Sequence, residues 1–172
     1  MNQKNNNLVI KTSKSISYWF ILPSLLISCA VIKFALQDWY MWVILPVFLY
    51  GLWLGLQLWL HPKLLIKVED EQLWLYEGSL IHESKPKIKL PFELIESFDV
   101  QMFKDNRGAS WFLTLQLKQP VQLPESAKKA ISNSIRFTRL EVEPKFIPWG
   151  VNWPEGGAKN LKQRLEEVII LS

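Results

Sequence analysis

Cysteine and histidine are both scarce in this chain of 172 residues, which contains one Cys and two His. A single Cys excludes a disulfide framework and a Cys-rich zinc fold, because both need several thiols. His61 and His82 stand apart, without the spacing typical of metal ligands. The HExxH, GxSxG and P-loop motifs do not occur in the sequence. We therefore predict no catalytic residues, no metal site and no cofactor.

Charge is almost missing from two long stretches near the N-terminus. Residues 16–36 contain one charged side chain, Lys33, and residues 39–60 contain none. Each stretch is long enough for a helix of about 30 Å, which matches the hydrocarbon thickness of a bilayer. Only two residues separate the stretches, so the sequence predicts a transmembrane helical hairpin over residues 16–61.

Aromatic and basic residues mark the ends of the predicted spans. Trp and Tyr favour the membrane–water interface, and they occur at span ends as Tyr18, Trp19, Trp39, Tyr40, Trp42 and Trp59. Basic residues flank the spans on the side of the two termini, as Lys4, Lys11, Lys14, Lys63 and Lys67. The positive-inside rule then predicts that residues 1–15 form a cytoplasmic tail and that both termini are cytoplasmic.

Two features inside the spans leave alternatives open. Residues 26–29 fit a permissive lipobox, so the first span is either a membrane helix with a buried thiol or a signal peptide with Cys29 lipidated. We favour the membrane helix, because the apolar run continues past Cys29. Gly51 and Gly55 form a GxxxG ridge for close helix packing, against the first span or against a partner chain. The intrachain use is slightly favoured.

Residues 62–172 are numerous enough for one domain with its own core. This part contains 16 basic and 15 acidic residues, so it lacks the positive excess expected of a nucleic-acid-binding protein. Apolar and polar residues alternate in several short runs, which predicts strands over residues 64–68, 73–76, 80–83, 87–90, 95–103, 111–118 and 135–143.

Helical patterns are confined to the end of the domain. Residues 124–133 fit either a short helix or a loop, whereas residues 155–171 predict an amphipathic helix. The apolar face of this helix is formed by Ala158, Leu161, Leu165, Val168 and Ile169.

The predicted layout of six or seven antiparallel strands and one final helix has a counterpart in a known family. Residues 68–75 (VEDEQLWL) and 88–100 (IKLPFELIESFDV) resemble the bacterial pleckstrin-homology-like (PH-like) domains of small membrane proteins. Gln72, where the family often has glycine, and the proline-broken residues 119–133 depart from its pattern.

The resemblance implies an α+β membrane protein of the bacterial cytoplasmic (inner) membrane. Its transmembrane hairpin is expected to precede a PH-like antiparallel barrel or sandwich with a C-terminal amphipathic helix. The family supplies no general activity and no catalytic residues to transfer to this chain.

Two groups of residues are candidates for contacts outside the chain. An aromatic loop over residues 144–154 either fills the core beneath the last helix or contacts the membrane interface or a partner, through Phe146, Ile147, Trp149 and Trp153. A second group either faces anionic lipid or forms an ordinary charged strand face, and comprises Lys63, Lys67, Lys85, Lys87 and Lys89. Acidic residues 69–71 stand where phosphoinositide-binding PH domains have a basic loop, which argues against headgroup binding of that kind.

These observations favour a non-enzymatic inner-membrane protein that presents a cytoplasmic PH-like domain. We expect the domain to bind a protein or to organise a membrane complex, with another protein or a second copy of the chain as its partner. The alternative is a lipid-surface sensor or a lipid-handling accessory protein, and an enzyme is a distant third hypothesis. Neither a nucleic acid nor a small-molecule substrate is indicated.

Overall fold

The computed structural model describes residues 7–35, 41–77, 85–105, 108–135, 143–151 and 153–169. The chain divides into two compact units. One unit is Ser13–Pro62, and the other is formed jointly by Met1–Thr12 and Lys63–Ser172. The first is helical and the second contains antiparallel sheets with helices, so the predicted α+β class is confirmed.

The helical unit consists of α1, Ser15–Ala35, and α2, Met41–Leu60. Both helices are long and apolar enough to cross a membrane. Most of their large apolar side chains are exposed, and the exposed fraction reaches 73% at Trp19 and 71% at Leu26. The contact between the two helices therefore buries only a minor part of their apolar side chains.

Small residues form the contact between α1 and α2. Ser24 and Ser28 of α1 are buried. A Cβ atom built on Gly51 would lie 2.5 Å from the Oγ atom of Ser24, and one built on Gly55 would lie 2.6 Å from the Cγ1 atom of Ile21. Both glycines of the GxxxG ridge therefore face α1 and permit its close approach.

We expect Gly55→Ala to destabilise the helical unit more than Gly51→Ala. The added methyl group at Gly55 would also lie 3.1 Å from the backbone nitrogen of Ile21, which cannot move away by changing a rotamer. Overpacking of this kind costs about 1–3 kcal/mol. At Gly51 the obstacle is the hydroxyl of Ser24, which can rotate. Unfolding of the two variants in mild detergent measures the difference, and equal stabilities would contradict this account.

The described part of the second unit contains seven strands in two antiparallel sheets, with the orders β1-β2-β3-β4 and β5-β6-β7. The strands are β1 Leu8–Lys11, β2 Leu64–Glu69, β3 Gln72–Tyr76, β4 Pro86–Pro91, β5 Ile95–Asp105, β6 Gly108–Leu117 and β7 Phe146–Gly150. The other elements are a 3₁₀ turn at Phe92–Leu94 and the helices α3, Glu125–Ile135, and α4, Gly157–Ile169.

The regular patterns of the sequence correspond to these elements. Strands β2 to β6 occupy the predicted runs between residues 64 and 118, and residues 124–133 are mostly helical. The predicted apolar face of α4 is turned inward, since Ala158, Leu161 and Leu165 are buried. The predicted strand over 80–83, most of the one over 135–143, and the connection between the spans lie outside the described residues.

The N-terminal segment differs from its prediction as a tail over residues 1–15. Leu8–Lys11 forms β1 and pairs with β2, with Leu8 opposite Val68. Leu8 and Ile10 point into the core and Val9 points out, so the strand has the expected alternation. The sequence did not reveal the strand because four residues provide only two buried side chains, and its partner strand follows more than fifty residues later.

The aromatic segment also differs from its prediction as a loop. Phe146–Gly150 is a strand that pairs with β6, and Pro148 lies opposite Thr114. Proline removes a donor from a β-ladder, so it reads as a strand breaker in sequence. It is tolerated here because, among the described residues, β7 has one neighbouring strand, β6, and so lies at the edge of its sheet.

Both sheets contribute to one hydrophobic core. Ile10, Ile66 and Leu75 from the first sheet and Leu113 and Leu115 from the second are fully buried. Helix α4 packs against β1 and β5, and so contacts a strand of each sheet. The N-terminal strand is thus part of the surface on which the last helix rests.

We expect Ile10→Ala to destabilise the domain by about 2–5 kcal/mol, the usual cost of truncating a fully buried aliphatic side chain. Val9→Ala is the matched control, because Val9 is exposed on the same strand and its truncation should change stability by no more than about 0.5 kcal/mol. Urea unfolding of the full chain in mild detergent, followed by circular dichroism, measures both values. Equal small effects would show that β1 is not part of the domain core.

Candidate functional site

Two of the five lysines predicted to face lipid have acidic partners within the domain. The Nζ atom of Lys67 lies 2.6 Å from the Oε2 atom of Glu69, and that of Lys87 lies 3.0 Å from the Oε2 atom of Glu77. The hydrogen bond to Glu69 is the main reason that the pKa of Lys67 is raised above its ordinary value. The positive charge of both lysines is therefore balanced within the domain.

Trp74 lies between two of the candidate lysines on the first sheet. It is the cross-strand neighbour of Lys67 on one side and of Lys89 on the other. The Nζ atom of Lys89 lies 4.5 Å from the centre of the Trp74 ring, a cation–π contact. Lys63 is half-buried and Lys85 is exposed. Three of the five candidate lysines thus have partners inside the domain, which weakens their attraction for anionic lipid.

The aromatic candidates divide into buried and exposed residues. Ile147 and Trp149 of β7 are buried, and Phe146 is half-buried. The Nε1 atom of Trp149 donates a hydrogen bond of 3.3 Å to the carbonyl oxygen of Tyr76 and so connects the two sheets. Trp153 lies outside the strand and is exposed. Trp149 therefore fills the core, while Trp153 remains accessible.

A groove of about 580 Å³ opens between the 3₁₀ turn, the beginning of β5 and the end of α4. Apolar side chains form its floor: Phe92, Ile95, Phe98 and Ile169. Charged side chains form its rim: Glu71, Glu93, Glu96, Glu166 and Lys118. We call this feature the β5–α4 groove. It combines a surface for apolar side chains with a rim that is mainly negative.

Local backbone geometry places two of the rim carboxylates. Glu71 belongs to the two-residue turn between β2 and β3 and has a φ of 57°, the left-handed conformation that tight hairpin turns require. Glu96 lies at a register shift between Ile95 and Ser97, where β5 has one residue more than its partner strand. A bulge of this kind changes the direction of a side chain. Glu96 thereby becomes an exposed residue of the rim.

Within the described part of the chain the rim carboxylates take no part in an ion pair, although Glu166 is close enough to Lys162 to contribute to its raised pKa. Every ion pair among the described residues involves other acidic groups, namely Glu69, Glu77, Glu125 and Asp99. Strand β5 also has one neighbouring strand, β6, in the part of the chain that the structure describes, and so lies at an edge of its sheet. An edge strand beside an apolar groove is an arrangement to which proteins bind extended peptides.

An ion pair connects β5 to α4 beside the groove. The Nζ atom of Lys162 lies 2.8 Å from the Oδ1 atom of Asp99. The pKa of Asp99 is lowered, first by this bond and then by the hydrogen bond from Gln101, and the pKa of Lys162 is raised by Asp99. The pair holds the helix that carries Glu166 against the strand that carries Phe98.

The groove was not predicted from the sequence, because its rim collects residues that are up to 95 positions apart. Glu166 offered the one local signal, since a carboxylate near a helix C-terminus is disfavoured by the helix dipole. Within the described part of the chain, no three His, Cys, Asp or Glu side chains form a group that could hold a metal ion.

We expect the stability difference between the wild type and Asp99→Asn to shrink in acid. Because the pKa of Asp99 is lowered by folding, its contribution is present above the pKa of the unfolded chain, about 4, and is lost as the pH falls through the lower folded value. Because folding raises the pKa of Lys162, the contribution of this lysine to stability is constant at neutral pH and is lost only in strong base. The effect is small, because both side chains are more than one-third exposed.

Urea unfolding at a series of pH values measures this difference, with Lys162→Met as the matched variant. Asp99→Asn should abolish the pH-dependent contribution, whereas Lys162→Met should reduce it, because the hydrogen bonds from Gln101 and from the backbone of Val100 to Asp99 remain. A difference that persists unchanged at the lowest pH would show that the ion pair is not its source.

In comparisons with protein-family models, curated proteins and solved structures, none matches this chain.

Proposed function

We propose that this chain is an integral protein of the cytoplasmic membrane whose cytoplasmic PH-like domain binds a partner protein and organises a membrane complex. Helices α1 and α2 cross the bilayer as a hairpin. Most of their large apolar side chains are exposed, with Val43 and Val47 at 67% in addition to the residues above. Exposure of this kind is unfavourable in water and typical of helices that face lipid.

The pairing of β1 with β2 is the observation that supports the proposed membrane topology. One strand precedes α1 and the other follows α2, yet they form one sheet. Both ends of the hairpin must then lie on the same side of the membrane, as two spans require. Loss of the segment before Cys29 by lipoprotein processing would remove β1 and leave its place in the core empty. This supports a retained span over a signal peptide.

The layout of the domain supports its PH-like assignment. Four antiparallel strands are followed by three, and α4 then packs against strands of both groups. The sequence resemblance in residues 68–75 and 88–100 lies within this layout, over β2–β3 and over β4–β5.

The distribution of charge favours a protein partner over lipid headgroups. The lysines of the first sheet are largely balanced, whereas the β5–α4 groove has an apolar floor and a negative rim. A negative rim repels an anionic bilayer and attracts basic side chains. The partner in this proposal is therefore a protein segment that presents apolar side chains beside basic ones.

A photo-crosslinkable amino acid in place of Glu93 or Glu96 should produce a discrete adduct with one partner protein in native membranes. The same substitution at Lys129 is the matched control, because Lys129 is exposed on α3 and does not line the groove. Adducts are expected from the groove positions alone, and Glu96→Lys combined with the crosslinker at position 93 should reduce their yield. Equal adducts from all positions, or none from the groove, would contradict the proposed docking site.

A fluorescent protein that matures only in the cytoplasm should be active when it is fused after Ser172. The expectation follows from the two spans and from the basic residues that flank them on the side of the termini. Alkaline phosphatase, which is active only outside the cytoplasm, is the complementary reporter. Activity of the phosphatase fusion alone would overturn the proposed orientation.

A further inference from the structure

Trp153 is held next to the place where the chain leaves the domain for the helical unit. The adjacent Pro154 pairs with Thr12, and the backbone nitrogen of Glu155 donates a hydrogen bond of 2.9 Å to the carbonyl oxygen of Lys11. The backbone nitrogen of Thr12 in turn donates a hydrogen bond of 2.7 Å to the carbonyl oxygen of Lys63. The backbone nitrogen of Lys63 donates one of 2.9 Å to the Oγ1 atom of Thr12. The segment around Trp153 is therefore bonded directly to the chain that enters α1 and, through Thr12, to the chain that leaves α2.

Chain length alone keeps this segment near the ends of the spans. Thr12 lies three residues before the first residue of α1, and Lys63 lies three residues after the last residue of α2. Consecutive Cα atoms are about 3.8 Å apart, so each of these residues is within about 11 Å of a helix end. This limit holds for any orientation of the domain.

Trp153 differs in exposure from the other tryptophans of the domain. Its exposed fraction is 54%, whereas Trp149 is buried and Trp74 and Trp111 are half-buried. More than half of this residue is therefore accessible to a contact outside the domain.

The backbone conformation of Trp153 is unusual for a residue of this type. Trp153 has a φ of 58°, a left-handed conformation that is unfavourable for a residue with a Cβ atom. The same segment has glycine at the other two left-handed positions, Gly156 and Gly157. At residue 153 the chain retains a bulky aromatic where glycine would fit the backbone better. Backbone strain of this kind is typical of positions with a function.

We infer that the indole of Trp153 inserts into the lipid headgroup layer and anchors the domain to the membrane surface. Trp is favoured in that layer because its ring is apolar and its N–H group can remain hydrogen-bonded. The exposed Tyr18, Trp19 and Trp59 occur at the ends of the helices that lead to the domain, so they would lie in the same layer. Lys11 and Lys63 supply positive charge for anionic headgroups beside it. The inference depends on the proposed insertion of α1 and α2.

Quenching by brominated lipid tests the anchor in the full chain. The wild type and Trp153→Phe are reconstituted into vesicles of phosphatidylcholine and phosphatidylglycerol that contain lipid brominated near the glycerol end of the acyl chain. Subtraction of the two emission spectra isolates the emission of Trp153. We expect this difference emission to lose most of its intensity in brominated vesicles and to resist iodide in the aqueous phase. Trp153→Tyr serves as a second variant.

Trp149→Phe is the matched control, because the Trp149 indole is buried and its difference emission should respond to neither quencher. Difference emission of Trp153 that iodide quenches and brominated lipid does not would place the indole in water and overturn the inference. Difference emission that neither reagent quenches would place it against protein and overturn it equally. If brominated lipid fails to quench the total emission of the wild type, which includes Trp19 and Trp59, then the membrane insertion itself is wrong.

Discussion

The pairing of β1 with β2 is the constraint on which the rest of the molecule depends. The bonds between Thr12 and Lys63 join residues that are 51 positions apart and close the chain around the whole helical unit. Ile10 contributes a fully buried side chain to the core, and α4 rests partly on the strand that carries it. Arg164 of α4 also donates a hydrogen bond of 3.1 Å to the carbonyl oxygen of Val9. Strand β1, both sheets and the last helix are thus stabilised together.

Strong and regular patterns made much of the fold predictable. Two apolar runs of about twenty residues, with Lys33 as their one charged side chain, predicted α1 and α2, and short apolar runs of four to nine residues predicted β2 to β6. The strands β1 and β7 were missed for different physical reasons. In β1 the alternation is too short to stand out, and its stability comes from a partner that is distant in sequence. In β7 an edge position tolerates Pro148, which sequence reasoning treats as the end of a strand.

The chemistry of the surface was less predictable than the fold. The balance of Lys67 by Glu69 follows from their positions two apart on one strand, but that of Lys87 by Glu77 depends on the register of two strands. The β5–α4 groove needs a turn, a bulge and a helix end to meet, and nothing local encodes such a meeting. Trp149 and Trp153, which looked equivalent in sequence, are separated by the end of β7, so one is core and the other is exposed.

The split sheet has a consequence for how the protein is made. During synthesis β1 emerges before its partner and stays unpaired until α1, α2 and then β2 have followed. With the hairpin in a bilayer, as proposed, a chain that inserts only one span leaves β1 and β2 on opposite sides and cannot complete its first sheet. Folding of the domain would thus act as a check on membrane insertion, and incorrectly inserted chains would expose an unfinished core to quality-control proteases.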